Sequence, residues 1–313
     1  SMRTLSGAYP SGEVGSTFDS SMLCVQLGMM GLAIGTLVYL LVKGMRGRRA
    51  GRNVVTIDVF VGATLFFDLV YVMFWCLITS GVVSSETECQ IFFVLDYIGG
   101  IGGDFVMACF AHFSHRIISC TCNKQTGTGV VPTPRYGVYT IVLFATLCGL
   151  CLIVMLRDMW VYNPDAQDQC WFIADAHHYA LWWFEMPRVL LAVITLVYLS
   201  LGFRLIYRQR GASGEQTSAY IWRYVWYSFP SPLVRMIPTA ANAAVDINVA
   251  EAESFRDTTT GHVLFYIAST NVLVTVIAYI VPRVYFSRVE RRQAQAATVR
   301  RGFKYQSVGY ATV

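Results

Sequence analysis

Hydrophobic positions in this chain come in long unbroken runs separated by short polar bridges. A bilayer span needs roughly 20 mostly apolar residues. Seven stretches reach that length, at 22–43, 54–79, 89–118, 136–157, 178–207, 219–246 and 261–286. The third is the least apolar in its middle, and the sixth is interrupted by Pro230, Pro232 and Pro238. The pattern predicts an all-α integral membrane protein, a seven-transmembrane helix bundle. Its expected organisation is a short N-terminal segment (1–21), the bundle (22–288) and a tail (289–313). Residues 1–20 lack a basic start followed by an apolar run, so no cleavable signal peptide is expected.

Composition sharpens this picture. The 313 residues are 55% hydrophobic and 14% charged, with mean hydropathy +0.49. A soluble domain carries roughly 25% charged residues, so this chain has too little charge to clothe a water-facing surface. Lys and Arg are retained on the cytoplasmic side of a membrane, and their distribution sets orientation. The bridge after the first segment, "KGMRGRRAGR", holds Lys43, Arg46, Arg48, Arg49 and Arg52. Arg116, Lys124 and Arg135 follow the third segment, and Arg204, Arg208 and Arg210 the fifth. Arg283, Arg288, Arg291 and Arg292 follow the seventh. The alternate bridges are acidic, with Glu86 and Glu88, then Asp158, Asp165, Asp168 and Asp175, then Glu251, Glu253 and Asp257. Only Arg3, Arg157 and Arg256 fall among them. The expectation is an N-terminus outside, a C-terminus inside, and a multi-pass place in the plasma membrane. The net charge of +5 then reflects basic groups facing anionic inner-leaflet lipid, not a nucleic-acid footprint.

Nine cysteines sort by compartment. Cys24, Cys76, Cys109, Cys148 and Cys151 lie in apolar segments, where a free thiol behaves as a small hydrophobe. Cys120 and Cys122 fall on the reducing side. Cys89 and Cys170 alone face the oxidising side, so a Cys89–Cys170 disulfide is expected, tying the long outer loop across the top of the third helix.

That arrangement looks like a G-protein-coupled receptor. "CWFIADAHHYALWWFEMPR" (170–188) resembles the cysteine-tryptophan loop and fifth helix of the cyclic-AMP-receptor-like receptors of amoebae and fungi. "YVWYSFPSPLVRMIPTAAN" (224–242) resembles their sixth helix, and "CQIFF" (89–93) suits the start of their third. The Asp-Arg-Tyr triplet of rhodopsin-like receptors is missing; the third segment ends "HFSHRIIS", with Arg116 in about that place. The seventh carries "NVLVTVIAY" (271–279) and Pro282 instead of Asn-Pro-x-x-Tyr. The resemblance implies a small extracellular ligand, a heterotrimeric G protein as partner, no cofactor and no enzymatic activity. Arg116, Arg208 and Arg210 are the expected G-protein-facing residues, and the prolines of the sixth segment an expected kink that lets its inner end swing.

Ionisable groups inside a membrane are costly and face the bundle interior. They are Asp58, Asp68, Asp96, Asp104, Glu185, Arg188 and Arg235. Counting along the helices places Asp96, Glu185 and Arg188 in the outer third, with Asp68, Asp104, Arg235 and Asn271 nearer the midplane. Two readings stay open. Asp96, Glu185, Arg188, Arg235, Asn242 and Trp182 form a pocket whose arginines take an anionic ligand, or the arginines merely neutralise the carboxylates. Trp171, Trp182, Trp183 and Trp226 line that pocket or mark the interfacial belt.

An opsin-like light-sensing or ion-translocating scaffold is the alternative, and the "DY" at 96–97 is similar to a pair in microbial rhodopsins. Covalent retinal needs a lysine in the seventh helix, whereas the lysines are Lys43, Lys124 and Lys304. A zinc hydrolase needs converging ligands. His112 and His115 stand apart from His177, His178 and His262 in sequence, and no three share a helix end. Finally, "LDYIGGIGGDF" (95–105) lacks the strand and spacing of a phosphate loop. Gly99 and Gly103 instead form a small-xxx-small pair for close helix approach.

Overall fold

The computed structural model describes residues 14–49, 56–80, 85–123, 134–156, 160–162, 170–172, 185–209 and 270–285, with isolated positions such as 82 and 182. Six helices lie among them. These are α1 (Val14–Arg49), α2 (Thr56–Thr79), α3 (Glu86–Asn123), α4 (Tyr136–Leu156), α5 (Met186–Gln209) and α6 (Asn271–Tyr285). Four contain stretches long and apolar enough to cross a membrane, within α1, α2, α3 and α5, while α4 and α6 contribute shorter apolar helices. The chain is thus a helical, multi-pass membrane protein. Of the predicted sixth segment only Met236 and Ile237, both helical, are among the described residues, and its prolines lie outside them.

The departure from an all-helical chain is a short antiparallel hairpin between α4 and α5. Strand β1 (Trp160–Tyr162) pairs with β2 (Cys170–Phe172), Val161 standing opposite Trp171. Both strands pack against α3. The segment after α4 therefore folds back over the third helix, as expected. Cys89 lies in the first turns of α3 and Cys170 opens β2, but their side chains lie outside the described residues. Cys24, Cys76, Cys109, Cys120, Cys148 and Cys151 are free thiols.

Helix α3 is the centre of the bundle. Its apolar span is 72% buried, against 17% for α1 and for α5, and it packs on α2, α4 and α5. One core joins α1, α2, α3 and α6 through Ala33 and Leu40, Phe60 and Leu65, Phe110 and Phe113, and Val272 and Val276. Phe60 is its aromatic hub, with ring centroids 5.1 Å from Phe110, 5.8 Å from Phe113 and 5.9 Å from Tyr136. Outward faces carry Ile141 and Phe144 on α4, Leu190 and Val197 on α5, and Ile277 and Val281 on α6. Exposed apolar residues in such numbers suit contact with hydrocarbon rather than water.

Local chemistry sets several helix features. Ser85 and Glu88 form a reciprocal cap. The Ser85 N–H donates to Glu88 Oε2 (3.1 Å) and the Glu88 N–H to Ser85 Oγ (3.3 Å), which fixes where α3 begins. Thr36, Thr64 and Thr195 donate their hydroxyls to carbonyls four residues back, satisfying groups that hydrocarbon cannot.

The glycines of α3 let α2 come close. A Cβ on Gly99 would lie 2.6 Å from the Tyr71 nitrogen and 2.8 Å from its Cα, and one on Gly102 would collide with the Phe67 ring. The near approach expected of Gly99 is present, and its described companion against α2 is Gly102. Gly103 is buried as well.

Candidate functional site

Two polar clusters lie inside this apolar bundle. The first is near the end where the hairpin packs on α3. Asp96 comes ten residues after the helix start at Glu86, about 15 Å along the axis at 1.5 Å per residue. Asp104 lies two turns deeper on the same helix. Arg188, on the first turn of α5, donates from Nε to Asp104 Oδ2 at 3.0 Å, and its Nη1 lies 3.9 Å from Glu185 Oε2. Glu185 and Trp182 stand in a π-helical turn immediately before α5. Such turns offset the side chains that follow and recur at functional sites.

All four charged groups are buried. Arg188 thus crosses the α3–α5 interface in hydrocarbon surroundings, where its removal would strand two carboxylates. Asp96 is 1% exposed, and its Oδ1 has no hydrogen-bond partner among the described residues. Arg188 and the Trp75 indole are its electrostatic neighbours. Tyr71 shares this neighbourhood, within the fields of Asp96, Arg188 and Glu185. The rings of Tyr71 and Trp75 meet edge to face at 6.3 Å, and Trp75 meets Phe74 at 5.2 Å. The close contact at Gly99 is what brings this aromatic wall of α2 against α3.

The structure therefore brings together Asp96, Asp104, Glu185 and Arg188 of the sequence-predicted polar residues. For Arg188 the neutralising arrangement is realised. Trp182 is 63% exposed and does not join them, a position that suits the interfacial belt. Arg235 and Asn242 lie outside the described residues. Asp68 is buried on α2 and accepts from Thr275 Oγ1 of α6 at 3.5 Å, one turn from the buried Asn271.

The second cluster lies at the opposite end, where α1 ends and α2 begins. Asp58 gathers Lys43 of α1 and Arg283 and Tyr279 of α6. Arg283 Nη2 donates to Asp58 Oδ1 at 2.8 Å, and the Tyr279 hydroxyl donates to the same oxygen at 2.8 Å. Arg283 also donates to the Tyr279 hydroxyl and lies over its ring, 4.5 Å from the centroid. Two cations share one carboxylate, and at 31% and 32% exposure Lys43 and Arg283 still reach the surface. Sequence reasoning assigned Lys43 and Arg283 to loop charge alone and missed this latch. Asp58 near a helix end, among basic bridges, was its available signal.

Near that same end His112 Nδ1 lies 2.8 Å from the Tyr139 hydroxyl, and the rings of His112 and His115 pack on Tyr198 at 5.0 and 5.8 Å. Arg116 is half-buried beside them, with one Nη unpartnered among the described residues. Arg208 is exposed in the last turn of α5, and Arg210 lies outside the described residues. Among the described residues no three His, Cys, Asp or Glu side chains converge as metal ligands would. Set against known protein families and against curated proteins, the sequence matches none.

Proposed function

We propose that the chain is a seven-helix receptor of the plasma membrane, N-terminus outside and tail inside. It binds a small extracellular ligand between α3 and α5 and signals to a heterotrimeric G protein through its basic end. The observation that carries this reading is the buried Arg188–Asp104 pair across the α3–α5 interface, with Asp96 beside it. A ligand that competes for these groups changes how α5 sits on α3, a two-packing event of the kind receptors use. Support comes from the basic bridges alternating with acidic ones and from the Asp58 latch, which holds the end of α6 next to the basic end of α1. The local resemblance to the cyclic-AMP-receptor-like receptors is of the same tenor.

Asp58→Asn weakens the hold on both Lys43 and Arg283 and so frees that end of α6. The test measures guanine-nucleotide exchange on a panel of purified heterotrimeric G proteins, using reconstituted wild-type protein and Asp58→Asn. Faster exchange on at least one G protein with the variant is expected. Exchange no faster than with empty vesicles, for both proteins across the whole panel, overturns the reading.

A second reading, an opsin-like scaffold translocating ions without a retinal-bearing lysine, draws on the two buried carboxylates of α3. Lys43 is held by Asp58. Ion flux across reconstituted vesicles would favour it.

A further inference from the structure

We infer that the cluster near the hairpin takes a small organic cation, a protonated amine, held by the Asp96 carboxylate against the aromatic wall of α2. The inference rests on the receptor reading for its biological sense, while its chemistry stands on the cluster itself. Asp96 is nearly sealed from solvent, and its Oδ1 finds no donor among the described residues. Buried carboxylates are ordinarily paired or hydrogen-bonded. The cation beside it, Arg188, is committed to Asp104 and leans towards Glu185.

The charge count points the same way. Among the described residues of the cluster, Asp96, Asp104 and Glu185 are three carboxylates against the one guanidinium of Arg188. An anion placed here would take Arg188 from its partners and crowd further negative charge among stranded carboxylates. A cation completes the count and leaves Arg188 with carboxylate partners. The neighbouring surface suits it as well. Tyr71, Trp75 and Phe74 present adjoining rings, and aromatic faces attract a cation electrostatically, Trp most strongly. The ammonium supplies the missing donor to Asp96 and the organic part covers the rings. Asp96 is covered, so a ligand reaches it only as that cover moves, and association falls below the diffusion limit.

The test uses the full-length protein purified in detergent. The probes are a matched set of 2-phenylethylammonium, its neutral alcohol and the corresponding carboxylate, with tetramethylammonium and short alkylammonium ions added. Binding is read by calorimetry and by thermal stabilisation in wild-type and Asp96→Asn. At least one ammonium probe is expected to bind in preference to its neutral and anionic counterparts. Asp96→Asn should weaken it by about 10- to 100-fold, the span of a charge-assisted hydrogen bond. The same variant replaces a buried carboxylate, one of whose oxygens has no partner among the described residues, with a neutral amide, so probe-free Asp96→Asn should melt no lower than wild type. A purely structural Asp96 would give the reverse, lower stability with unchanged probe affinity.

The proposal is overturned if no ammonium probe binds, if the carboxylate binds better, or if Asp96→Asn leaves affinity unchanged. Nucleotide exchange, run in parallel, separates it from the receptor reading. Amine binding that depends on Asp96 without any G-protein response upholds the site and sinks the receptor. Exchange driven by the neutral or anionic probe sinks the site and upholds the receptor.

Discussion

Replacing Gly99 with alanine is the most direct trial of how this bundle is built. The added Cβ would lie 2.6 Å from the Tyr71 nitrogen and 2.8 and 2.9 Å from its Cα and Cβ. Carbon atoms pack comfortably at about 3.5–4.0 Å, so α2 must retreat by about 1 Å. Two of the three clashing atoms are backbone, and no rotamer change relieves them. A gap of that size forfeits about a quarter to a half of each dispersion contact it opens. Overpacking of this kind costs about 1–3 kcal/mol, while alanine returns up to about 1 kcal/mol of helix propensity. The net is a loss of about 1–2 kcal/mol. Gly35 of α1 and Gly149 of α4 provide the control, because a Cβ at either meets nothing within 4 Å. Gly35→Ala and Gly149→Ala keep the propensity gain without the clash, so their effect is neutral or stabilising. Thermal unfolding of the purified protein, followed by tryptophan fluorescence, should place Gly99→Ala several degrees below these controls, at about 2–4 °C per kcal/mol. Gly102→Ala, which meets a side-chain ring that can turn aside, should fall between them. If Gly99→Ala melts together with the controls, α2 and α3 do not meet at this glycine.

Two further predictions concern single bonds. Arg188→Met leaves Asp104 and Glu185 buried without their cation and should cost about 3–5 kcal/mol, whereas the double variant with Asp104→Leu should recover much of that, because a packed apolar pair can replace a buried ion pair. A double variant less stable than either single one, in the same melting assay, would show that the pair is not an isolated bridge. For the cysteines, peptide mapping of unreduced protein should recover Cys89 and Cys170 in one linked peptide, and Cys89→Ser should cost about 2–4 kcal/mol; alkylation of both thiols without prior reduction would refute the pairing.

The helices were legible because hydrocarbon leaves so few ways to satisfy a backbone. Their ends were less so. The third segment read as 89–118, yet α3 runs Glu86–Asn123. Its start is set by the Ser85–Glu88 cap, a polar signal that an apolar count passes over, and its far end continues past Ile118 through "SCTCN" because helical hydrogen bonds do not need apolar side chains. The strands of the hairpin are three residues each, too short to show a period. The glycines announced a close approach but not its partner. A spacing of four pointed to Gly99 with Gly103; α2 is seen against Gly99 and also against Gly102, a spacing of three. Both rows are ridges on one helix, and only the crossing direction of the neighbour selects between them. The buried charges were likewise all visible in the sequence, but the bond between Arg188 and Asp104 spans 84 positions and exists only once α5 lies on α3.

The two clusters, taken with the glycine contact, divide the bundle into fixed and adjustable parts. Helices α2 and α3 touch backbone to Cα at Gly99, and Phe60 locks them again near the other end. Such contacts have one good packing, because dispersion falls away within an ångström. Helices α5 and α6 add polar attachments to their apolar packing, Arg188 to Asp104 and Glu185, and Arg283 and Tyr279 to Asp58. A guanidinium can exchange one carboxylate for another at modest cost, so these joints admit alternative partners that a glycine contact does not. In the proposed receptor the α2–α3 pair is then the stator. A cation arriving at Asp96 changes the balance of charge around Arg188, and α5 is the element free to answer. The Asp58 latch, with two cations on one carboxylate, is the corresponding release point for α6. Movement on this scheme needs no break in the apolar core, only a change of partners at its two polar ends.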